Sequence, residues 1–309
     1  MCIRDRFKDA QFFWNTDQKT PLVDRVESLK NVTFQKELGS YYWKTEQNVA
    51  VARALVGLVQ IKGVTLDETA LLKATELAKT DLTTELVKEF TELQGVIGGL
   101  YAKAQGLGDT VAQAIYDQYR PTSTDDEIPL TIEGQLLGLA DRGQTVTAMF
   151  GIGMAPTGSK DPFALRRAAN AIVSILAESG LPLTLSDVIG ASVAGEADIV
   201  VSHPSGKNND AVRMGHPDGG TTKEQAAAFL RERLQFFLKD VRGFAYDVVN
   251  AALAAGAEDV GDAIARAEAL TVARESADFA AISAAFKRIK NILRQAEEKG
   301  CLLYTSRCV

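Results

Sequence analysis

Hydrophobic positions recur at threes and fours along most of the chain, the spacing of helices that bury one face. After Pro21, the residues Leu22, Val26 and Leu29 keep this spacing until Asn31. From Lys44 to Gln60, the residues Val49, Ala52, Val56 and Val59 repeat it. Thr65, with Glu68 three positions on, reads as an N-cap ahead of a broad stripe through Leu71, Leu72, Leu77, Ala78, Leu82 and Leu86. LQGVIGGLYAKAQG and TVAQAIYDQY read as two further helices, and the polar loop 121–129 separates them from GQLLGLADRGQTVTAMFGIG. Asp161 followed by Pro162 marks a cap and first turn for a helix with Leu165, Ala169, Ile172 and Leu176 on one face. Strand-like alternation is scarce, so the pattern predicts an all-α fold.

Between 190 and 220 the periodicity fails and Gly, Asn and Pro become frequent, which predicts a linker or mobile loop. Thr221 and Glu224 then have the spacing of a capping box. Behind them Phe229, Leu230, Leu234, Phe237, Leu238 and Val241 form an apolar stripe, and DVGDAIARAEALTVA and FAAISAAFKRIKNILRQAEEKG add two amphipathic helices. The expected organisation is a helical domain over 7–189, a linker over 190–220 and a small helical bundle over 221–299.

Composition narrows the chemistry. With 309 residues, 46% hydrophobic and 24% charged, the chain has enough apolar surface for two cores. It contains no run of about eighteen apolar residues that would span a bilayer, so no membrane partner is expected. MCIRDRFKDAQFFW lacks the apolar stretch of a signal peptide. The three cysteines, Cys2, Cys301 and Cys308, crowd the ends and supply neither a disulfide framework nor a zinc knuckle. The expected setting is therefore the cytoplasm. Only two histidines occur, His203 and His216, which argues against a histidine metal centre or relay. No metal ligand set and no catalytic residue is assigned.

The net charge of −6 is unevenly shared. Residues 221–300 carry 12 basic and 12 acidic side chains, whereas residues 1–220 carry 21 and 28. Within the balanced part, Lys287, Arg288, Lys290, Asn291 and Arg294 fall on one side of a helix, opposite Phe286, Ile289, Ile292 and Leu293. Arg231, Arg233, Lys239 and Arg242 form a similar rim on the helix after Thr221. Such surfaces suit a phosphate backbone, although a solvated face has the same pattern. Further upstream, GMAPTGSK has Gly158-Ser159-Lys160 in the wrong order for a nucleotide-binding P-loop and follows a helical segment. A structural turn is the expected reading there, with Lys160, Arg166 and Arg167 as candidate phosphate contacts. Asp141 lies on an otherwise apolar helix, where a carboxylate needs a partner.

Four stretches resemble the beta-subunit family of bacterial heterotetrameric glycyl-tRNA synthetases: FFWNTDQKTPLVDRVESLKNVTFQKELGS, AKTDLTTELVKEFTELQGVIGGLYA, LADRGQTVTAMFGIGMAPTGSKDPFALRRAA and AAFKRIKNIL. They occur in one order along almost the whole chain. The resemblance implies the later half of a subunit about twice this length. It also implies a partner alpha subunit holding the class II catalytic core with ATP and Mg, and an alpha2beta2 tetramer that charges tRNA(Gly) with glycine. No cofactor is then expected on this chain, and its task would be tRNA binding.

The resemblance further implies a domain like HD phosphohydrolases, followed by a helical anticodon-binding-like domain over 221–299. Asp81 and Asp141 would be the remnant of the HD site; two carboxylates without imidazoles make a poor metal hydrolase. A degenerate metal phosphohydrolase and an assembly module without tRNA contact are the alternatives. In the family Asp141 is typically followed by Lys, where this chain has Arg142-Gly143, and the added glycine is expected to loosen the helix. The ends, MCIRDR and CLLYTSRCV, fit nothing in the family and resemble translated sequencing-adapter sequence, so residues 1–6 and 300–309 are expected to be non-native flanks.

Overall fold

The computed structural model describes residues 3–200 and 221–298. Both histidines, all three cysteines, positions 201–220 of the expected linker, and 1–2 and 300–309 of the expected flanks lie outside the described residues. Within them the chain is all-α, with thirteen α-helices and one short hairpin. The helices are α1 (Ile3–Asp17), α2 (Tyr41–Ile61), α3 (Glu68–Leu77), α4 (Glu85–Glu89), α5 (Val96–Ala104), α6 (Asp109–Tyr116) and α7 (Ile132–Gly151). They continue with α8 (Leu165–Glu178), α9 (Leu185–Val200), α10 (Thr222–Phe236), α11 (Tyr246–Ala254), α12 (Val260–Arg274) and α13 (Ala277–Glu298). No described helix is long and apolar enough to cross a membrane.

The fold is organised around α7, which is buried from Glu133 to Phe150 except at Thr145. Thr131 starts it by accepting a hydrogen bond from the Gly134 amide. Helices α2, α3, α6, α8, α9 and α10 pack around it. Gly143 faces α9: a Cβ there would sit 2.6 Å from Ser192 Oγ and 3.0 Å from Val188 Cγ1. The glycine therefore admits a neighbouring helix rather than loosening its own. Gly99 serves the α5–α6 pair in the same way, since a Cβ would meet Tyr116 Cβ at 2.6 Å and the Ala112 carbonyl at 2.7 Å.

Local signals fare unevenly. The capping box of Thr221 and Glu224 forms as its spacing predicts. Asp161 accepts from the Leu165 and Arg166 amides at 2.8 and 2.9 Å, so it caps α8 although Pro162 lies outside the helix. The cap of α3 is Asp67, bonded to the Ala70 amide, not Thr65. The Leu22–Leu29 pattern folds as two 3-10 turns, Leu22–Arg25 and Glu27–Asn31, and not as an α-helix. A hairpin of Thr33–Gln35 against Gly39–Ser40 was not signalled by any alternation long enough to read.

The stretch expected as a linker is helical as far as Val200, in α9. On the far side of residue 220, α10 packs on α7, α8 and α9. The rings of Phe150 and Phe229 meet at 5.3 Å. One continuous core runs from Leu22 through Leu71, Leu136 and Ile172 to Leu234 and Ala263. Helix α13 departs from this pattern. It packs at its start on α12, and every described residue from Ala277 to Gln295 is exposed.

Candidate functional site

Three buried charged side chains meet beside α7. Asp141 comes from the middle of that helix, Lys44 from the first turn of α2, and Lys79 from the turn after α3. Lys44 Nζ lies 2.9 Å from Asp141 Oδ1, and Lys79 Nζ lies 2.9 Å from Oδ2. Asn48 Nδ2 donates to Oδ1 at 2.9 Å. The ammoniums are saturated by further acceptors. Lys44 donates to Gln144 Oε1 and Thr145 Oγ1, each at 2.8 Å, and Lys79 to Gln118 Oε1 at 2.9 Å and the Tyr119 hydroxyl at 3.0 Å. Each ammonium also lies over an aromatic ring: Lys44 5.0 Å from the Phe34 centroid, and Lys79 4.2 Å from that of Tyr119.

Burial opposes ionisation of Asp141, but the adjacent charges of Lys44 and Lys79 together outweigh it and hold the carboxyl well below the usual range. Burial likewise opposes the charge on Lys79, and the Asp141 carboxylate overcomes it, raising the ammonium's pKa. Arg142, the next residue on α7, is buried too; burial lowers its pKa, and its guanidinium donates to the carbonyls of Gln118, Gly138 and Arg120.

Asp81 does not share this cluster of bonds. It lies beneath the start of α5 and accepts from the Gly95 amide at 2.5 Å, while its Oδ1 has no partner among the described residues. Burial pushes its pKa up to about 6, against the lowering effect of that amide. Of the two acidic positions singled out from the sequence, Asp141 is thus a hub and Asp81 a helix-terminus acceptor. The lysines that define the hub carried no sequence signal. They lie 97 and 62 residues from Asp141, and each reads locally as a helix-surface charge. Among the described residues, no three His, Cys, Asp or Glu side chains gather as a metal site would need.

The cluster forms the floor of a cavity of 440 Å³. Its walls include Phe34, Tyr41, Tyr119 and Phe163, and Arg167 stands exposed at its edge. Of the other candidate phosphate contacts, Arg166 donates to the Gly158 carbonyl at 2.7 Å, and Lys160 is exposed in a turn bridged to Thr157. The first amides of α8, where an anion would dock, are already taken by Asp161.

The basic residues near the C-terminal end divide into two groups. On α10 and the turn after it, Arg231 pairs with Glu258, Arg233 with Glu232, Lys239 with Asp240 at 3.9 Å and Arg242 with Glu178 at 3.7 Å. Arg233 and Arg242 also lie against phenylalanine rings. On α13, Lys287, Arg288, Lys290, Asn291 and Arg294 are all exposed. Arg294 approaches Glu298 at 3.9 Å, and the other three cations have no acidic partner among the described residues. The opposite side of α13 exposes Phe286 at 68%, Ile289 at 54% and Leu293 at 40% instead of burying them.

Comparison with known proteins gives a consistent result. A sequence profile described as glycyl-tRNA synthetase beta subunit matches residues 1–254. The chain is 59% identical over 297 residues to the glycine–tRNA ligase beta subunit of Acidobacterium capsulatum, covering 96% of this chain and 40% of that protein. It is 38% identical over 295 residues to the protein of the same name from Moorella thermoacetica, covering 95% of this chain and 40% of that protein. The corresponding protein of Desulforapulum autotrophicum is also 38% identical, over 294 residues, with 95% and 40% covered. The chain thus spans about two fifths of the length of these relatives.

Proposed function

Because the chain belongs to the glycyl-tRNA synthetase beta subunit family, we propose that it forms part of a glycine-tRNA ligase and contributes to holding tRNA(Gly). ATP and Mg chemistry would then reside on a partner alpha subunit, in an alpha2beta2 assembly. The observation that carries the tRNA role is the exposed basic side of α13. Lys287, Arg288, Lys290 and Arg294 stand off the folded body with few acidic neighbours, so they are available to backbone phosphates. The paired arginines of α10, Arg231 and Arg233, and Arg242 beyond it are less suited to that role, because each would have to give up a carboxylate first.

Reversing the four α13 charges tests this reading. With the alpha subunit present, cognate tRNA binding should be lost and its salt dependence should flatten, while the helical circular dichroism stays unchanged. Undiminished binding would overturn it. A second reading, assembly without tRNA contact, draws on the exposed Phe286, Ile289 and Leu293, an apolar face suited to another protein surface. Co-purification with the alpha subunit but no tRNA binding by either form would favour that reading. Against a metal phosphohydrolase stands the chemistry of Asp141, whose two oxygens are each held by a lysine ammonium.

A further inference from the structure

The cavity above Asp141 and the groove between α2 and α3 differ in charge. The groove, at 700 Å³, is lined by Arg53 and Lys73 but also by Glu46, Glu68 and Glu76. The cavity is lined by Lys44, Lys79, Arg142 and Arg167 against the single carboxylate of Asp141. Three of its cations are buried, so their field is poorly screened and is focused into the space they border. The internal bonds of Lys44, Lys79 and Arg142 fix them as a rigid positive floor. Direct contacts to a ligand must therefore come from other groups.

Those groups are present. Arg167 is exposed and has no carboxylate partner among the described residues. Tyr119 accepts from Lys79, which leaves its own O–H proton to donate. The Tyr41 hydroxyl has no hydrogen-bond partner among the described residues, and as a phenol it is protonated at neutral pH and can donate. The Phe34, Tyr41, Tyr119 and Phe163 rings supply flat apolar surface on the same walls. An anion alone would use the cations and hydroxyls but not the rings, and an apolar ligand would leave the field unanswered. The volume lies within the roughly 300–1,000 Å³ usual for small-ligand pockets.

We infer that this cavity is a binding site for a phosphate-bearing nucleotide, its phosphate at Arg167 and the tyrosine hydroxyls and its base among the aromatic rings. The nucleotide is either free or an unpaired residue of an RNA chain. The site is separate from α13, so the two assignments fail independently.

The test is binding to the 309-residue chain, by calorimetry, of AMP, inorganic phosphate and a 5′-phosphorylated single-stranded pentaribonucleotide. AMP should bind saturably and more tightly than inorganic phosphate. Arg167→Glu should weaken it by about tenfold or more, and Tyr41→Phe by several-fold. Lys73→Glu in the other groove should leave AMP binding unchanged. Binding of the oligonucleotide without AMP would assign the site to an RNA nucleotide if Arg167→Glu weakens it in a chain whose α13 charges are reversed; oligonucleotide binding that Arg167→Glu leaves intact belongs to α13 and overturns the inference. Circular dichroism and thermal unfolding matching the parent keep the Arg167 and Tyr41 results interpretable. The inference is overturned if neither nucleotide probe binds, if inorganic phosphate binds as tightly as AMP, or if Arg167→Glu and Tyr41→Phe both bind like the parent.

Discussion

Two ammonium groups face one carboxylate beside α7, so removing that carboxylate strands both cations where water is scarce. Asp141→Asn should therefore destabilise the fold by about 3–5 kcal/mol in urea unfolding. Replacing all three charges, with Lys44→Met, Lys79→Met and Asp141→Leu, should recover most of that loss, because no buried charge is then left unpaired. If the triple variant is no more stable than Asp141→Asn, the cost lies in packing and not in charge. Asp141 ionises more readily in the folded state than in the unfolded chain. Its stabilisation is thus present above the ordinary carboxylate range and is lost only as pH falls through the depressed value. Asp81 has the opposite sign. Its folded pKa of about 6 lies above the unfolded value, so the protonated form favours folding and that contribution disappears as pH rises through 6. Relative to Asp81→Asn, the parent should gain about 1–2 kcal/mol of stability between pH 7 and pH 5, measured by urea unfolding at each pH. A constant difference across that window would refute the assignment.

Among the elements, the sequence was most legible where one helix could be read alone. The Thr221–Glu224 box needs only three residues of spacing, and it forms. The amphipathic pattern of α13 likewise gives a helix, but the pattern does not say whether its apolar side has a neighbour, and here that side is exposed. The Leu22–Leu29 spacing fits a 3-10 turn nearly as well as an α-helix over so short a run, and tertiary packing decided it. The site was the least legible part. Lys44 and Lys79 look like surface lysines until α2, α3 and α7 converge, and no local pattern records that convergence. Glycines show the same limit: by propensity Gly99 weakens a helix, yet its missing side chain is what lets α5 approach α6. Gly99→Ala should destabilise by about 1–3 kcal/mol in thermal or urea unfolding, despite alanine's better helix propensity. A stabilised variant would mean that the two helices separate at little cost.

Across the whole molecule, composition and chain length suggest two cores; among the described residues one apolar cluster runs from the first helices into α10 and α12, and a smaller one of Val248, Ala252 and Ala267 lies between α11 and α12. Sequence periodicity cannot report this, because it describes which face of a helix is apolar and not which helix lies against it. Continuity has a measurable result. Both tryptophans, Trp14 and Trp43, precede α3, and Leu234 is fully buried on α10. Leu234→Ala should cost about 2–5 kcal/mol and move the tryptophan fluorescence midpoint together with the helical signal. If the fluorescence midpoint stays in place while part of the helical signal melts early, α10–α12 unfold as a separate unit.

The attachment of α13 at one end gives it leverage. At 1.5 Å per residue, its 22 residues extend about 33 Å from the Glu275–Ser276 joint, and Arg294 sits about 26 Å along. A tilt of about 10° at the joint would carry that guanidinium through about 4–5 Å, nearly the rise of one helical turn. The span from the body of the protein to the basic residues is therefore set by helix length, while their bearing depends on two residues at the joint.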